Sequence, residues 1–187
     1  MPNKKNIERF STAANAVGAV VASLTDAAEA ATYISEHVAG AIILPPSSSL
    51  ERLGLANELA KHDSELIQDE FRTKAAQASA GVTGANFAIA ETGSVVLEST
   101  PEATRLASTL PEKHFVLLDP SKIIDDGDDA VPLLRRFHQE QPRNFLAYLT
   151  GPSRTADIER VLTIGVHGPR ELHILLLDGL SDDPLEN

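Results

Sequence analysis

Cysteine is missing from this 187-residue sequence, which excludes disulfides, thiolate nucleophiles, zinc fingers and cysteine-ligated iron–sulfur clusters as internal features. Aromatic residues are scarce, at 4% against 42% hydrophobic residues overall. The core must therefore be built from Ala, Val, Leu and Ile, a composition suited to buried strands flanked by helices. Positive charge is also short: 16 Lys and Arg face 27 Asp and Glu, for a formal net charge of −11. Phosphate contacts draw their affinity from Lys and Arg, so this balance argues against nucleic acid or anionic lipid as a partner. Long apolar runs are lacking as well. "STAANAVGAVVASL" is too short to span a bilayer and carries no A-x-A-like cleavage site, so a cytoplasmic location with no membrane contact is expected.

What is present reads as one domain over residues 1–187, with its core at about 10–178. "AVGAVVASL" is β-branched enough for a strand, and in "TDAAEAATYISEHV" Asp26 followed by Glu29 marks a helix start. The alternative is one Ala-rich helix over residues 6–37. "GAIILPP" then reads as a short buried strand, "SSSLERLGLANELAKH" as a helix capped by Ser48, "SELIQD" as a brief strand and "FRTKAAQASAG" as a helix stopped by Gly81. Helices alternating with short apolar strands imply parallel βαβ units. After them "NFAIAE" and "SVVLES" flank Thr92-Gly93 as a hairpin, and "VLTIGV" and "ELHILLLD" flank "HGPR" as another. "HFVLLD" and "FLAYLT" add strands, "DDGDDAVPLLRRFHQEQ" and "SRTADIER" add helices, and "SDDPLEN" is expected to fray. The fold class is α/β, with a mostly parallel sheet and some antiparallel hairpins.

Three stretches hold candidate chemistry. In "GVTGANFAIAETGSVVLES", Gly81, Gly84 and Gly93 permit positive φ or close backbone approach, Thr83, Asn86 and Thr92 offer hydrogen bonds, and Glu91 stands at a strand end. Ligands gather outside strand ends in α/β sheets, so Glu91 is placed for acid–base or nucleophilic work; the alternative is a polar hairpin whose glycines serve its turns. In "TGPSRTADIER", Gly151 and Pro152 lead into a predicted helix whose first turn holds Ser153, Thr155 and Asp157. That arrangement serves equally as an anion site or as ordinary capping. In "GVHGPRELH", His167 sits between Gly165 and Gly168 as a proton shuttle or orienting donor. Paired with His173 it would still need a third metal ligand, and "DDGDD" lacks the ligand spacing of an EF-hand, so no metal is expected. G-x-S-x-G, H-E-x-x-H and G-x-G-x-x-G do not occur.

Taken together, "GVTGANFAIAETGSVVL", "TRLASTLPEKHFVLLDPSKI", "GPSRTADIE" and "GVHGPRELHILLLD" resemble the lactate utilization protein C (LutC/YkgG) family, which carries the LUD domain. The resemblance implies a three-layer α/β fold similar to the sugar-phosphate isomerase and CoA-transferase group. It implies a place beside LutA-like and LutB-like partners in oxidising L-lactate to pyruvate, with the iron–sulfur clusters on those partners and no cofactor on this chain. The family pattern maps onto Thr83, Gly84, Asn86, Glu91, Thr92 and Gly93, and onto Arg105. It continues through Gly151, Ser153, Thr155 and Asp157, and through His167, Gly168 and Pro169. One pocket for a small carboxylate or anion is the expectation, with Glu91, Arg105, Asp157 and His167 converging on it. Glu91 before Thr-Gly is also similar to the acyl-accepting glutamate of CoA-transferases. An accessory, non-redox subunit is thus weighed against an independent acyl-CoA or sugar-phosphate enzyme using Glu91 as its catalytic residue, and against a carboxylate-sensing module.

Overall fold

The computed structural model describes residues 3–156 and 161–187. The first helix, α1 (Lys4–Ala16), is capped by Asn3 and buries Phe10 and Ala14. It ends at Val17, and β1 (Val20–Leu24) follows. The single long helix over 6–37 is therefore not formed: the segment is helix, strand, helix, and the helical half before the strand is the part the strand reading missed. Asp26 caps α2 (Ala27–His37) by accepting from Glu29 N at 2.9 Å. Glu29 reaches back to accept from Thr25 N at 2.7 Å and Thr25 Oγ1 at 2.8 Å, a capping box displaced to the residue before the cap. Asp26→Ala is expected to cost about 1 kcal/mol, read as a lowered urea midpoint with unchanged slope.

Beyond β2 (Ile42–Ile43) the predicted single helix is two, α3 (Ser48–Leu53) and α4 (Leu55–Ala60), separated by Gly54 at φ +74°. The cap is Ser47, not Ser48: Ser47 Oγ accepts from Leu50 N at 3.3 Å. After β3 (Leu66–Ile67), α5 (Phe71–Lys74) runs into a 3-10 turn at Ala75–Gln77 and stops there. Gly81 does not end this helix. It lies inside β4 (Ala80–Gly84), where the main chain of Ala107 presses against its α-carbon.

The chain then forms β5 (Phe87–Ile89), β6 (Ser94–Glu98), α6 (Glu102–Thr109), β7 (Lys113–Leu118), β8 (Ile123–Ile124) and α7 (Gly127–Glu140). It closes with β9 (Leu146–Leu149), β10 (Arg154–Thr155), β11 (Thr163–Ile164) and β12 (Glu171–Leu177). Six strands make a parallel sheet in the order β1-β12-β7-β4-β2-β3. Four make a smaller one, β8-β5-β6-β9, with the expected β5–β6 hairpin antiparallel. Side chains alternate across the large sheet. Phe115 and Leu117 meet Ala30, Ile34 and Leu59 on one face, while Val116 and Leu118 meet Phe10, Ala88, Val95 and Leu97 on the other. The result is three layers: helices, parallel sheet, and α1 with the small sheet. Among the described residues no helix is long and apolar enough to cross a membrane.

Three expectations near the C-terminal third fail. "HGPR" does not join a hairpin, because β11 pairs antiparallel with β10 while β12 inserts between β1 and β7 in parallel. A strand apolar on both faces belongs in a sheet covered on both sides, and Leu172 through Leu177 are all buried. The helix predicted at "SRTADIER" is absent over Arg154–Thr155, which is strand; Asp157 and residues 158–160 lie outside the described residues. "SDDPLEN" is docked, with residues 184–187 half-buried.

Candidate functional site

The two glycine loops around residues 151 and 168 are zipped together. Ser153 N donates to Pro169 O at 2.9 Å, and Gly165 N donates to Ser153 O at 2.9 Å. A Cβ on Gly168 would lie 3.0 Å from that of Ser153. Between these loops, the end of α6 and the start of β7 lies a cavity of about 230 Å³, lined by Ser108, Thr109, His114, Thr150, Ser153 and His167 among others. Gly151, Gly168 and Pro169 form part of its wall. Motifs separated by a dozen residues and more thus share one space. Thr155 is not part of the wall; it sits in β10 opposite Thr163.

His114 is the residue that sequence reasoning missed. It is fully buried, and Thr83 Oγ1 lies 2.9 Å from its Nε2. Its Nδ1 is buried with no hydrogen-bond partner among the described residues. Burial pushes the imidazole down to about 3, so the ring is neutral at physiological pH. In the tautomer in which the Thr83 hydroxyl donates to Nε2, Nδ1 carries the proton and is left as an unpaired donor beneath a cavity wall that mixes the hydroxyls of Ser108, Thr109, Thr150 and Ser153 with the apolar Leu149, Pro152 and Leu172. A histidine opening an apolar strand run was the available signal, and "HFVLLD" displays it.

The remaining candidates lie elsewhere. Glu91 is exposed on the hairpin turn, 4.0 Å from Arg9, which itself bonds Asp125, and it does not line the cavity. Gly93 holds φ +67° with its α-carbon against Ala14 of α1, fixing that turn onto the helix. Thr92 reaches the cavity rim through a hydroxyl relay, Thr92 Oγ1 to Ser94 Oγ at 2.7 Å and Ser94 Oγ to Thr150 Oγ1 at 2.6 Å. Arg105 ties down the approach to its own helix by donating to Ser99 O at 2.6 Å and Thr100 O at 2.5 Å. Gly84 and Asn86 stand at the opposite, C-terminal end of the parallel strands. His173 is no partner for His167: it bonds Tyr33 Oη at 3.0 Å and Glu171 at 3.1 Å.

The LUD domain model matches residues 7–177. An uncharacterized protein of Neisseria meningitidis is 41% identical over 109 residues, 57% of this chain and 46% of that one. Lactate utilization protein C of Bacillus subtilis is 31% identical over 159 residues, 78% of this chain and 66% of that one. The chain therefore spans about half to two thirds of the length of these relatives. A crystal structure of a DUF162 family protein from Deinococcus radiodurans superposes with a TM-score of 0.67 at 21% identity, over 93% of this chain and 97% of that one, so the two share a fold. From the match over residues 7–177, the chain belongs to the LUD domain family.

Proposed function

We propose that this chain is a non-redox subunit of a system that oxidises L-lactate to pyruvate, and that it holds a small hydroxy or keto acid in the His114 cavity. The observation that carries the reading is the buried, unpartnered Nδ1 of His114 in a cavity walled by three separated motifs. A neutral imidazole N–H beside Ser108, Ser153 and Thr150 can bond a carboxylate or carbonyl oxygen without adding a buried charge. A volume of about 230 Å³ equals about eight waters of bulk liquid, which suits a molecule of a few heavy atoms. The name of the Bacillus subtilis relative supports lactate utilization as the setting. With no cysteine in the chain, electrons taken from lactate need clusters on LutA-like and LutB-like partners.

The test is replacement in cells that depend on the system for growth on L-lactate. His114→Phe, which fills the cavity, is expected to stop L-lactate oxidation while anaerobic affinity purification still recovers iron–sulfur partners. Full activity of that variant would refute the assignment.

The transferase alternative asks Glu91 to attack a thioester. Outside the cavity and with Arg9 as its one ion-pair partner among the described residues, the carboxylate has no companion base among them to activate it. Incubation with acetyl-CoA or succinyl-CoA is therefore expected to leave the intact mass unchanged. An adduct at Glu91 that Glu91→Gln removes would restore that alternative.

A further inference from the structure

Lys122 is 3% exposed and has no carboxylate within salt-bridge distance among the described residues. Its ammonium instead donates to two main-chain carbonyls, Glu186 O at 2.5 Å and Ala85 O at 3.3 Å. An ammonium has three protons to give, and a buried cation held by neutral acceptors is poorly compensated. Neighbouring polar groups have the same kind of partner. Buried Ser47 Oγ donates to Asn187 O at 2.7 Å, and buried Asn86 Nδ2 donates to Pro184 O at 3.1 Å. A Cβ on Gly84 would lie 2.6 Å from the main-chain carbon of Asn187, so the bare glycine is what lets the segment approach.

These donors converge beyond the C-terminal ends of β2, β4 and β7, the edge at which open parallel sheets bind ligands. They are met by the main-chain oxygens of Pro184, Glu186 and Asn187, in one segment, 181–187, that belongs to no helix or strand. Few apolar contacts hold it: Leu185 is the one residue of the segment packed against a core cluster. Its further polar ties are Ser49 N to Asn187 O at 3.2 Å, Ser181 N to Asp119 Oδ2 at 3.3 Å, and the ion pairs of Arg52 with Glu186 at 2.9 Å and Arg136 with Asp183 at 3.3 Å, surface pairs of small worth.

We propose that Lys122, Ser47 and Asn86 form a binding site for a small monocarboxylate at the C-terminal end of the parallel sheet, and that the segment 181–187 is a strap filling it until the ligand displaces it. The site lies at the opposite end of the sheet from the His114 cavity and stands whether or not that cavity binds anything. The rim chooses the ligand class. Asp119, Asp178, Asp182 and Asp183 line an open groove of about 610 Å³ alongside the strap, with Arg52 as the only cation on it among the described residues. A phosphate dianion is repelled there more strongly than a carboxylate.

The charges facing Lys122 are Glu186, Asp119, Asp183 and Arg52, and burial outweighs them to push its amine down to about 8. Carboxylate binding should therefore be full below that pH and fade above it.

Amide hydrogen exchange and calorimetry with sodium acetate test the site. In the full chain, acetate is expected to speed exchange of the amides of residues 181–187, and the effect should vanish above about pH 9. Deleting residues 184–187, which removes the main-chain oxygens of Pro184, Glu186 and Asn187 that occupy the site, is expected to tighten acetate binding about tenfold, because the strap no longer competes. With the other cavity filled by His114→Phe, Lys122→Met should abolish acetate binding with the strap present or deleted, and inorganic phosphate should not substitute. Unchanged affinity after the strap deletion overturns the strap. Binding that survives Lys122→Met, or persists undiminished above pH 9 in the unaltered chain, overturns the site, and phosphate binding as well as acetate overturns the ligand class.

Discussion

Acidification is expected to strip stability from this protein steeply below pH 6.5, with His114 supplying the largest single share. Its imidazole titrates near 6.5 in the unfolded chain but is pushed down to about 3 by burial in the fold. Between those values the unfolded state binds a proton that the folded state refuses, so stability falls as pH falls. Integrated to pH 4, the loss is about 3 kcal/mol. Buried His173 is shifted downward as well and adds in the same direction. Urea unfolding at pH 7, 5 and 4 checks this: His114→Gln should flatten the decline by about that amount relative to the unaltered chain. An equal decline in both proteins would show that His114 is not the group refusing the proton.

Gly81→Ala is expected to be the most damaging single methyl in the molecule. The added Cβ would sit 1.9 Å from Ala107 O and 2.7 Å from its carbonyl carbon, both main-chain atoms of α6 that no side-chain rotation can clear. The helix must move off β4, at a cost of about 3 kcal/mol. Ser108 and Thr109, at the end of that helix, line the cavity, so ligand binding should weaken together with stability. Gly127→Ala is the matched control. Nothing lies within 4 Å of a Cβ there, and a glycine replaced in the first turn of α7 should raise stability by about 0.5 kcal/mol. Thermal unfolding of the two variants should move in opposite directions. A Gly81→Ala protein as stable as the unaltered chain would contradict the close packing of α6 on β4.

Gly81 also shows why parts of this fold are legible in the sequence and parts are not. A glycine after an Ala-rich segment is equally a helix stop and a strand position where another backbone passes close, and only the distant Ala107 decides between them. The β7 and β12 runs were readable because strands buried on both faces are apolar throughout, and α2 because its capping box is local. Pairing is a long-range property, so "HGPR" looked like a hairpin although β12 had partners at β1 and β7. The same division holds for the site. Gly151, Ser153, His167 and Gly168 were found from their loops and do share a cavity. Thr83 and Gly84, adjacent in sequence, serve opposite ends: Thr83 turns back to His114, whereas Gly84 abuts Asn187. Neither Lys122 nor His114 stands in a glycine-rich motif, and it is burial that makes each of them chemically distinct.

The most direct test of the central claim is the nitrogen resonance of the His114 ring, assigned by its loss in His114→Gln and followed by NMR as L-lactate or pyruvate is added to the isolated chain. The account predicts that Nδ1, without a partner among the described residues of the free protein, shifts saturably as it bonds the ligand, and that in a Lys122→Met background His114→Phe removes the remaining binding by calorimetry. A His114 resonance unmoved at saturating ligand, with lactate or pyruvate binding elsewhere on the chain or not at all, would contradict it.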